Sequence, residues 1–250
     1  TDFTRLILIY VLLFGLYLFI CYSRNFRYNL KIVIGGALLL RLSLLLMTPN
    51  LSDDYFRFIW DGLLVGSGYN PYLMIPADFL NVAPAIPEIT PALYAQLTSP
   101  YYHSAYPPLA QFVFALSAKL SGGSLLGNII WLRVFIMLAE FGTILLISKI
   151  LSRFRQPPGL VVLYAFNPLI IMELTGNLHF EAVMIFFLLL AVYLLIRERP
   201  LRSAISFGLA ISAKLLPVIF LPLLIRRLGL VKSLKYFAVT GAVVLLLFAP

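Results

Sequence analysis

The stretch SDDYFRFIWDG, Ser52–Gly62, gathers three carboxylates and a guanidinium in a chain that is otherwise strongly apolar. On a helix, Ser52 is placed to act as N-cap, its hydroxyl meeting free backbone N–H groups. Phe56, Ile59, Trp60, Leu63 and Leu64 then form one apolar face, and Asp54, Arg57 and Asp61 line another. Because Trp and Tyr favour the membrane interface, the expected element is a helix lying flat on the outer leaflet. Its polar face would look towards the loop that follows. A carboxylate held at that depth suits general-base attack on a hydroxyl, which makes Asp54 the candidate base and Asp53 its neighbour. Both also occupy a first helical turn, where the macrodipole favours carboxylates whatever their function.

Two further stretches carry groups that fit such chemistry. GNLHFEA, Gly176–Ala182, offers Asn177, His179 and Glu181. A histidine at a helix start serves equally well as a structural hydrogen-bond partner or as a functional group. Lys214, in AKLLP, falls between two apolar half-helices. Breaks in membrane helices mark binding sites, and a lysine ammonium there is a natural partner for phosphate. A metal site has little support: the two histidines, His103 and His179, lack ligand spacing. The sequence establishes no cofactor and leaves a divalent metal open but unsupported by ligand spacing. Arg41, Arg133 and Glu140 fall inside apolar runs, where a charge is costly unless paired. Arg133 and Glu140 share a helix face without touching, so the expected structural pair is Arg41 with Glu140.

The elements that position these groups are membrane helices. The 250-residue chain is 62% hydrophobic and 12% charged, with mean hydropathy +0.98. A soluble chain of this size needs far more polar surface. The runs Leu6–Cys21, Ile32–Met47, Ile129–Ile147, Leu160–Met172 and Ala182–Ile196 approach or reach the length that crosses a bilayer of about 30 Å. Strand alternation is absent, so the expected fold is all-α, a polytopic transmembrane bundle. The net charge of +9 does not indicate nucleic acid. Its Lys and Arg residues cluster at Arg24/Arg27/Lys31, Lys149/Arg153/Arg155, Arg197/Arg199/Arg202 and Arg226/Arg227/Lys232/Lys235, short tracts that read as cytoplasmic. A single cysteine, Cys21, excludes an internal disulfide.

With those clusters inside, residues 48–105 form one large external loop. It carries five of the ten acidic residues and one of the nineteen basic ones, Arg57. Long ordered loops tend to be functional. Tyr106–Leu120 is expected to lie along the outer interface or re-enter, helix 128–148 to run inward, 158–175 outward and 180–196 inward. Residues 203–213 then rise to the Lys214 turn, and 217–225 return. The Asp loop, Thr175–Glu181 and Lys214 thus meet at the external side. The chain starts without Met and stops at Pro250 inside an apolar run, so 1–250 is expected to be one transmembrane domain excerpted from a longer protein.

DDYFRFIWDG…GYNPY, YPPLAQ, NPL…GNLHFEAV and AKLLP, in this order, resemble the GT-C class of integral-membrane glycosyltransferases over roughly residues 35–228. The similarity is nearest to bacterial polyprenyl-phosphate-mannose-type enzymes and more distant to the first mannosyltransferase of GPI-anchor synthesis. The resemblance implies a polyprenyl-phosphate sugar donor, a glycan or glycolipid acceptor, an active site on the external face of a bacterial inner membrane, and a catalytic Asp at Asp54. Where eukaryotic relatives often carry Asp-x-Asp, this chain has Ser52-Asp53-Asp54; whether Asp53 shares the role, and whether a divalent metal takes part, stay open. The expected activity is inverting transfer of a hexose, mannose by the resemblance, to a hydroxyl. Lys214, Arg57 and His179 are the candidate phosphate partners, and Asp61, Glu181, Asn177 and Tyr106, which opens YPPLAQ, complete the substrate-binding set. Two rivals share the composition: a secondary transporter, which would carry repeats and a midplane site, and a non-catalytic subunit of a glycosylation complex.

Overall fold

The computed structural model describes residues 3–22, 29–82 and 86–249 and is all-α, with no strand among them. Arg24 and Arg27 of the first basic cluster lie outside these residues. Helix α1 is Phe3–Tyr22 and α2 is Leu30–Leu42. The loop region contains α3 (Asp54–Gly66), the short helices α4 (Pro76–Val82) and α5 (Pro91–Tyr94), and leads into α6 (Pro108–Leu120). Then come α7 (Leu125–Arg153), α8 (Pro158–Ala165) and α9 (Pro168–Gly176). The chain ends with α10 (Glu181–Ile196), α11 (Pro200–Ala213), α12 (Leu221–Leu228) and α13 (Leu230–Phe248).

Three helices, α1, α7 and α13, are each long and apolar enough to cross a membrane. The 29 residues of α7 rise about 44 Å, so it is the longest strut in the bundle. The outward run 158–175, expected as one helix, is two, bent by 59° between α8 and α9. Pro168 causes the break, because the residue before a proline is pushed out of the helical region. Asn167 restarts the helix as its N-cap, with Oδ1 accepting from the N–H of Leu169 at 3.0 Å. The α2 helix is shorter than Ile32–Met47; it stops at Leu42 and continues as turns. Helix α11 begins at Pro200, three residues before the expected start.

The largest correction concerns α3. Every residue from Tyr55 to Leu64 is buried, so the helix does not lay its apolar face on lipid. It is covered by α6 and by the loop. Gly62 permits the approach: a Cβ there would sit 2.4 Å from the Phe114 carbonyl oxygen. The N-cap position is Asp53, not Ser52, and its side chain makes no capping bond. The Ser52 hydroxyl instead accepts from the Asp54 N–H at 3.4 Å.

Helix α6 covers about 20 Å, too little to cross the bilayer. Both of its ends meet the same loop. Gln111 in its first turn bonds Ser104, while a Cβ on Gly123, just past its end, would touch the Glu88 side chain at 3.6 Å. A helix pinned at both ends to one loop lies beside that loop. The topology that follows is tested with single cysteines at exposed positions, since native Cys21 is buried. Glu88→Cys is expected to react with an impermeant thiol reagent added outside intact cells and Phe154→Cys to stay unlabelled. The reverse pattern would invert the arrangement.

Candidate active site

Three elements bring the candidate residues together, and each is held by interactions the sequence implies locally. The first is α3. Arg57 and Asp61, one helical turn apart, form a buried ion pair, Nε to Oδ1 2.8 Å. Arg57 also donates to the carbonyls of Ser99 and Tyr102, each at 3.0 Å. The other Asp61 oxygen accepts from Ser104 at 2.5 Å and from Gln111 at 2.9 Å. Both were candidate substrate contacts; the structure places them in a closed network that ties the end of the loop to α3 and α6.

The second element is the loop end itself, which presents Tyr106. Asn70 folds the GYNPY turn by accepting from the Tyr72 N–H at 2.9 Å, and the Tyr72 hydroxyl then donates to the Tyr106 carbonyl at 2.7 Å. The Tyr106 ring meets Phe58 and Phe114 edge-on, with centroids 4.9 and 5.6 Å away. Phe180 closes the cluster against the same two rings at 5.5 and 4.8 Å. Such pairs add about 0.5–1.5 kcal/mol each beyond burial. They also carry the neighbours of Phe180, His179 and Glu181, to the side of α3.

The third element is the Thr175–Glu181 turn. From Ile171 to Gly176 the chain winds as a π-helix, a form that recurs at functional sites. Leu178 follows in the left-handed region at φ 62°, a strained conformation for a branched side chain. The turn is held from behind by Arg133, which donates to the carbonyls of Thr175 (2.9 Å), Gly176 (3.2 Å) and Leu45 (2.8 Å). Glu140 accepts from the Thr175 hydroxyl and pairs with Arg41 at 2.7 Å, the structural pair expected from the sequence.

On the exposed rim of these elements stand Asp53, Asp54, Lys214 and the half-buried Tyr106, His179 and Glu181. Among the described residues no hydrogen bond or ion pair engages the Asp54 carboxylate. Burial pushes the Tyr106 phenol well above its usual pKa; the charges of Asp54, Asp61 and Glu181 add to this and Arg57 opposes it. Asp54 and Glu181 therefore both lie within electrostatic reach of Tyr106. His179 approaches Ser52 with Nε2 (3.4 Å) and Glu173 with Nδ1 (3.3 Å). Asn177 donates to the same Glu173 oxygen at 3.3 Å. Glu173 was missed in the sequence, although its spacing from Asn177 is one helical turn. Lys214 pairs with Glu181, not with an acid of the loop. Among the described residues no three His, Cys, Asp or Glu side chains converge to hold a metal ion.

The arrangement offers an unengaged carboxylate at Asp54 and a lysine, Lys214, that carries only one exposed ion pair. That combination can take a proton from a hydroxyl at one point and meet an anion at another. The Asp61 network has its own consequence. Asp61→Asn leaves a buried guanidinium without its counter-charge, a change that costs about 3–5 kcal/mol when a buried pair is broken. A clear drop in melting temperature and faster proteolysis around residues 99–106 are expected, whereas Asp53→Asn leaves both unchanged.

Residues 4–228 match the family described as alpha-(1->6)-mannopyranosyltransferase, N-terminal domain. Among curated proteins the chain is similar to alpha-(1->6)-mannopyranosyltransferase B of Corynebacterium glutamicum, 24% identical over 155 residues, covering 62% of this chain and 25% of the relative. It is also similar to alpha-(1->6)-mannopyranosyltransferase A of Mycobacterium tuberculosis, 25% identical over 215 residues, covering 82% of this chain and 40% of the relative. The chain thus spans well under half the length of these relatives. No solved structure matches it.

Proposed function

We infer the activity from a plain starting point: the chain belongs to the alpha-(1->6)-mannopyranosyltransferase, N-terminal domain, family. It is the catalytic part of an integral-membrane transferase that moves mannose from a polyprenyl phosphate to a hydroxyl of a glycan or glycolipid. The acceptor atom is a sugar 6-hydroxyl, the position that the names of the relatives give for the bond they make. The reaction takes place at the external face of the membrane, where the acidic loop lies. The observation that carries this reading is the unengaged Asp54 carboxylate on a rim shared with Tyr106, Glu181 and Lys214.

In the reaction, Asp54 takes the proton from the acceptor hydroxyl as its oxygen attacks the anomeric carbon. The bond between that carbon and the phosphate oxygen breaks on the opposite face, so configuration inverts. An α product then requires a β-linked donor. Charge grows on the departing phosphate, and fixed cations that meet it lower the barrier. Lys214 fills this role, with His179 second. Tyr106 and Glu181 border the space where sugar hydroxyls would sit, and the buried Asn177 acts at one remove by donating to Glu173, the partner of His179. Arg57 and Asp61 act at one remove, by holding the loop that presents Tyr106.

Lys214 and Glu181 are both partly exposed, 48% and 33% by side chain. A pair in that setting contributes at most about 1 kcal/mol. Lys214 is therefore available to a phosphate at little energetic cost, and Glu181 holds it in place meanwhile. This separates two roles by measurement. Lys214→Met is expected to lower the melting temperature only slightly while weakening donor affinity by about 10- to 100-fold, the range for one hydrogen bond to a charged group. Lys214→Arg retains part of both affinity and turnover. Unchanged donor binding in a stable Lys214→Met protein would remove Lys214 from the site.

Asp54→Asn preserves size and leaves the buried networks untouched. It is expected to fold normally and to transfer mannose about 10²–10⁴-fold more slowly, the usual loss of a general base. Asp53→Asn has a smaller effect. Purified protein, labelled polyprenyl-phosphate mannose and a membrane lipid extract suffice for the assay. Near-normal turnover in Asp54→Asn would exclude this mechanism.

A further inference from the structure

A groove of about 840 Å³ lies at the opposite end of the helices from Asp54, between α11 and the α12–α13 turn. Its volume falls within the range of about 300–1,000 Å³ typical of ligand sites. Leu201 and Val239 line its walls. Tyr236 forms part of its lining with its hydroxyl engaged by Ser203 at 2.9 Å, so it offers the groove its ring rather than its oxygen. The rim carries Arg227, Lys232 and Lys235, all exposed, against one acid, Glu198. Lys232 and Lys235 are three apart on α13 and so share a face. Among the described residues none of the three cations forms an ion pair.

The preference of cytoplasmic segments for Lys and Arg accounts for their number at this end. It does not account for their convergence on one apolar groove. Three unpaired cations repel one another, and an anion at their centre relieves that repulsion. Beside them is an apolar trough in a chain built to stand in lipid. Basic pockets between membrane helices take anionic headgroups in this way.

We propose that this groove binds an anionic phospholipid, its phosphate between Arg227, Lys232 and Lys235 and an acyl chain along Leu201 and Val239. The inference does not depend on the transferase reading. The complete protein in detergent is heated with phosphatidylglycerol, phosphatidylcholine or inorganic phosphate, and lipid retention is followed by native mass spectrometry. Phosphatidylglycerol alone is expected to raise the melting temperature and remain bound. In Arg227→Gln/Lys232→Gln/Lys235→Gln that affinity falls about fivefold per cation removed, since one cation near a membrane surface contributes about 1 kcal/mol. A charge-matched variant elsewhere, Arg5→Gln/Lys119→Gln/Arg155→Gln, keeps it. Should the triple groove variant fail to fold, Lys232→Gln alone carries the test with a fivefold loss. Equal stabilisation by phosphatidylcholine would show a non-specific apolar effect, and equal stabilisation by phosphate would show a free-anion site. Either result overturns the proposal, as does full retention by the groove variants, an equal loss in the charge-matched one, or a groove filled by another segment of the complete protein so that no lipid binds.

Discussion

Everything on the exposed rim depends on how three charges are accommodated inside the bundle. A guanidinium or carboxylate in a low-dielectric interior must find a partner, and removing one member of a buried pair costs about 3–5 kcal/mol. In this chain the partners are on different elements. Glu140 of α7 holds Arg41 of α2 and the Thr175 hydroxyl at the end of α9. Two helical turns away on α7, Arg133 takes carbonyls from the exit of α2, at Leu45, and from Thr175 and Gly176. One helix thus grips both points from which the chain departs towards the site. Residues 48–54 and 177–181 leave from fixed positions, and the sites they build inherit that precision.

The motifs that mark the chain's resemblance are mostly scaffold. FRFIWDG supplies the Arg57–Asp61 pair and the glycine on which α6 rests. GYNPY anchors the Tyr106 backbone, YPPLAQ returns Gln111 to Asp61, and NPL makes the bend between α8 and α9. Several of these motifs meet through a hydrogen bond, an ion pair or an aromatic edge. The ionisable residues of these motifs that stand on the exposed rim include Asp53, Asp54, His179, Glu181 and Lys214.

The sequence made part of this legible and hid part, for physical reasons. The Arg41–Glu140 pair could be read because an intramembrane charge has few alternatives. The surroundings of α3 could not. The spacing of Phe56, Ile59, Leu63 and Leu64 shows that one face is apolar, but lipid and protein satisfy such a face equally, and here α6 provides the cover. The break at Pro168 was written in the chain and was overridden by the overall hydrophobicity of the run. The partner of Lys214 needed only arithmetic. Helices α10 and α11 have 16 and 14 residues and are joined by a short turn, so Glu181 and Lys214 come level at one end. The π-helical turn and the positive φ of Leu178 have no local signature in residue type.

That turn explains what the deepest charges hold in place. An ionisable group inside a membrane is ordinarily a functional candidate, yet Arg41, Arg133 and Glu140 are each engaged by two or more partners. Winding 171–176 as a π-helix and turning Leu178 to positive φ costs of order 1–3 kcal/mol for the strained residue alone. The Arg133 bonds to Thr175 and Gly176 offset that cost, and they do so because the carbonyls at a helix end have no partner within the helix. What the strain achieves is to bring His179 and Glu181 to the side of Asp54 within five residues of the α9 terminus. A charge that must hold such a turn cannot also move a proton or release a phosphate without loosening it. By contrast, the Asp54 carboxylate is unengaged among the described residues, and the exposed pair of Glu181 and Lys214 is worth at most about 1 kcal/mol.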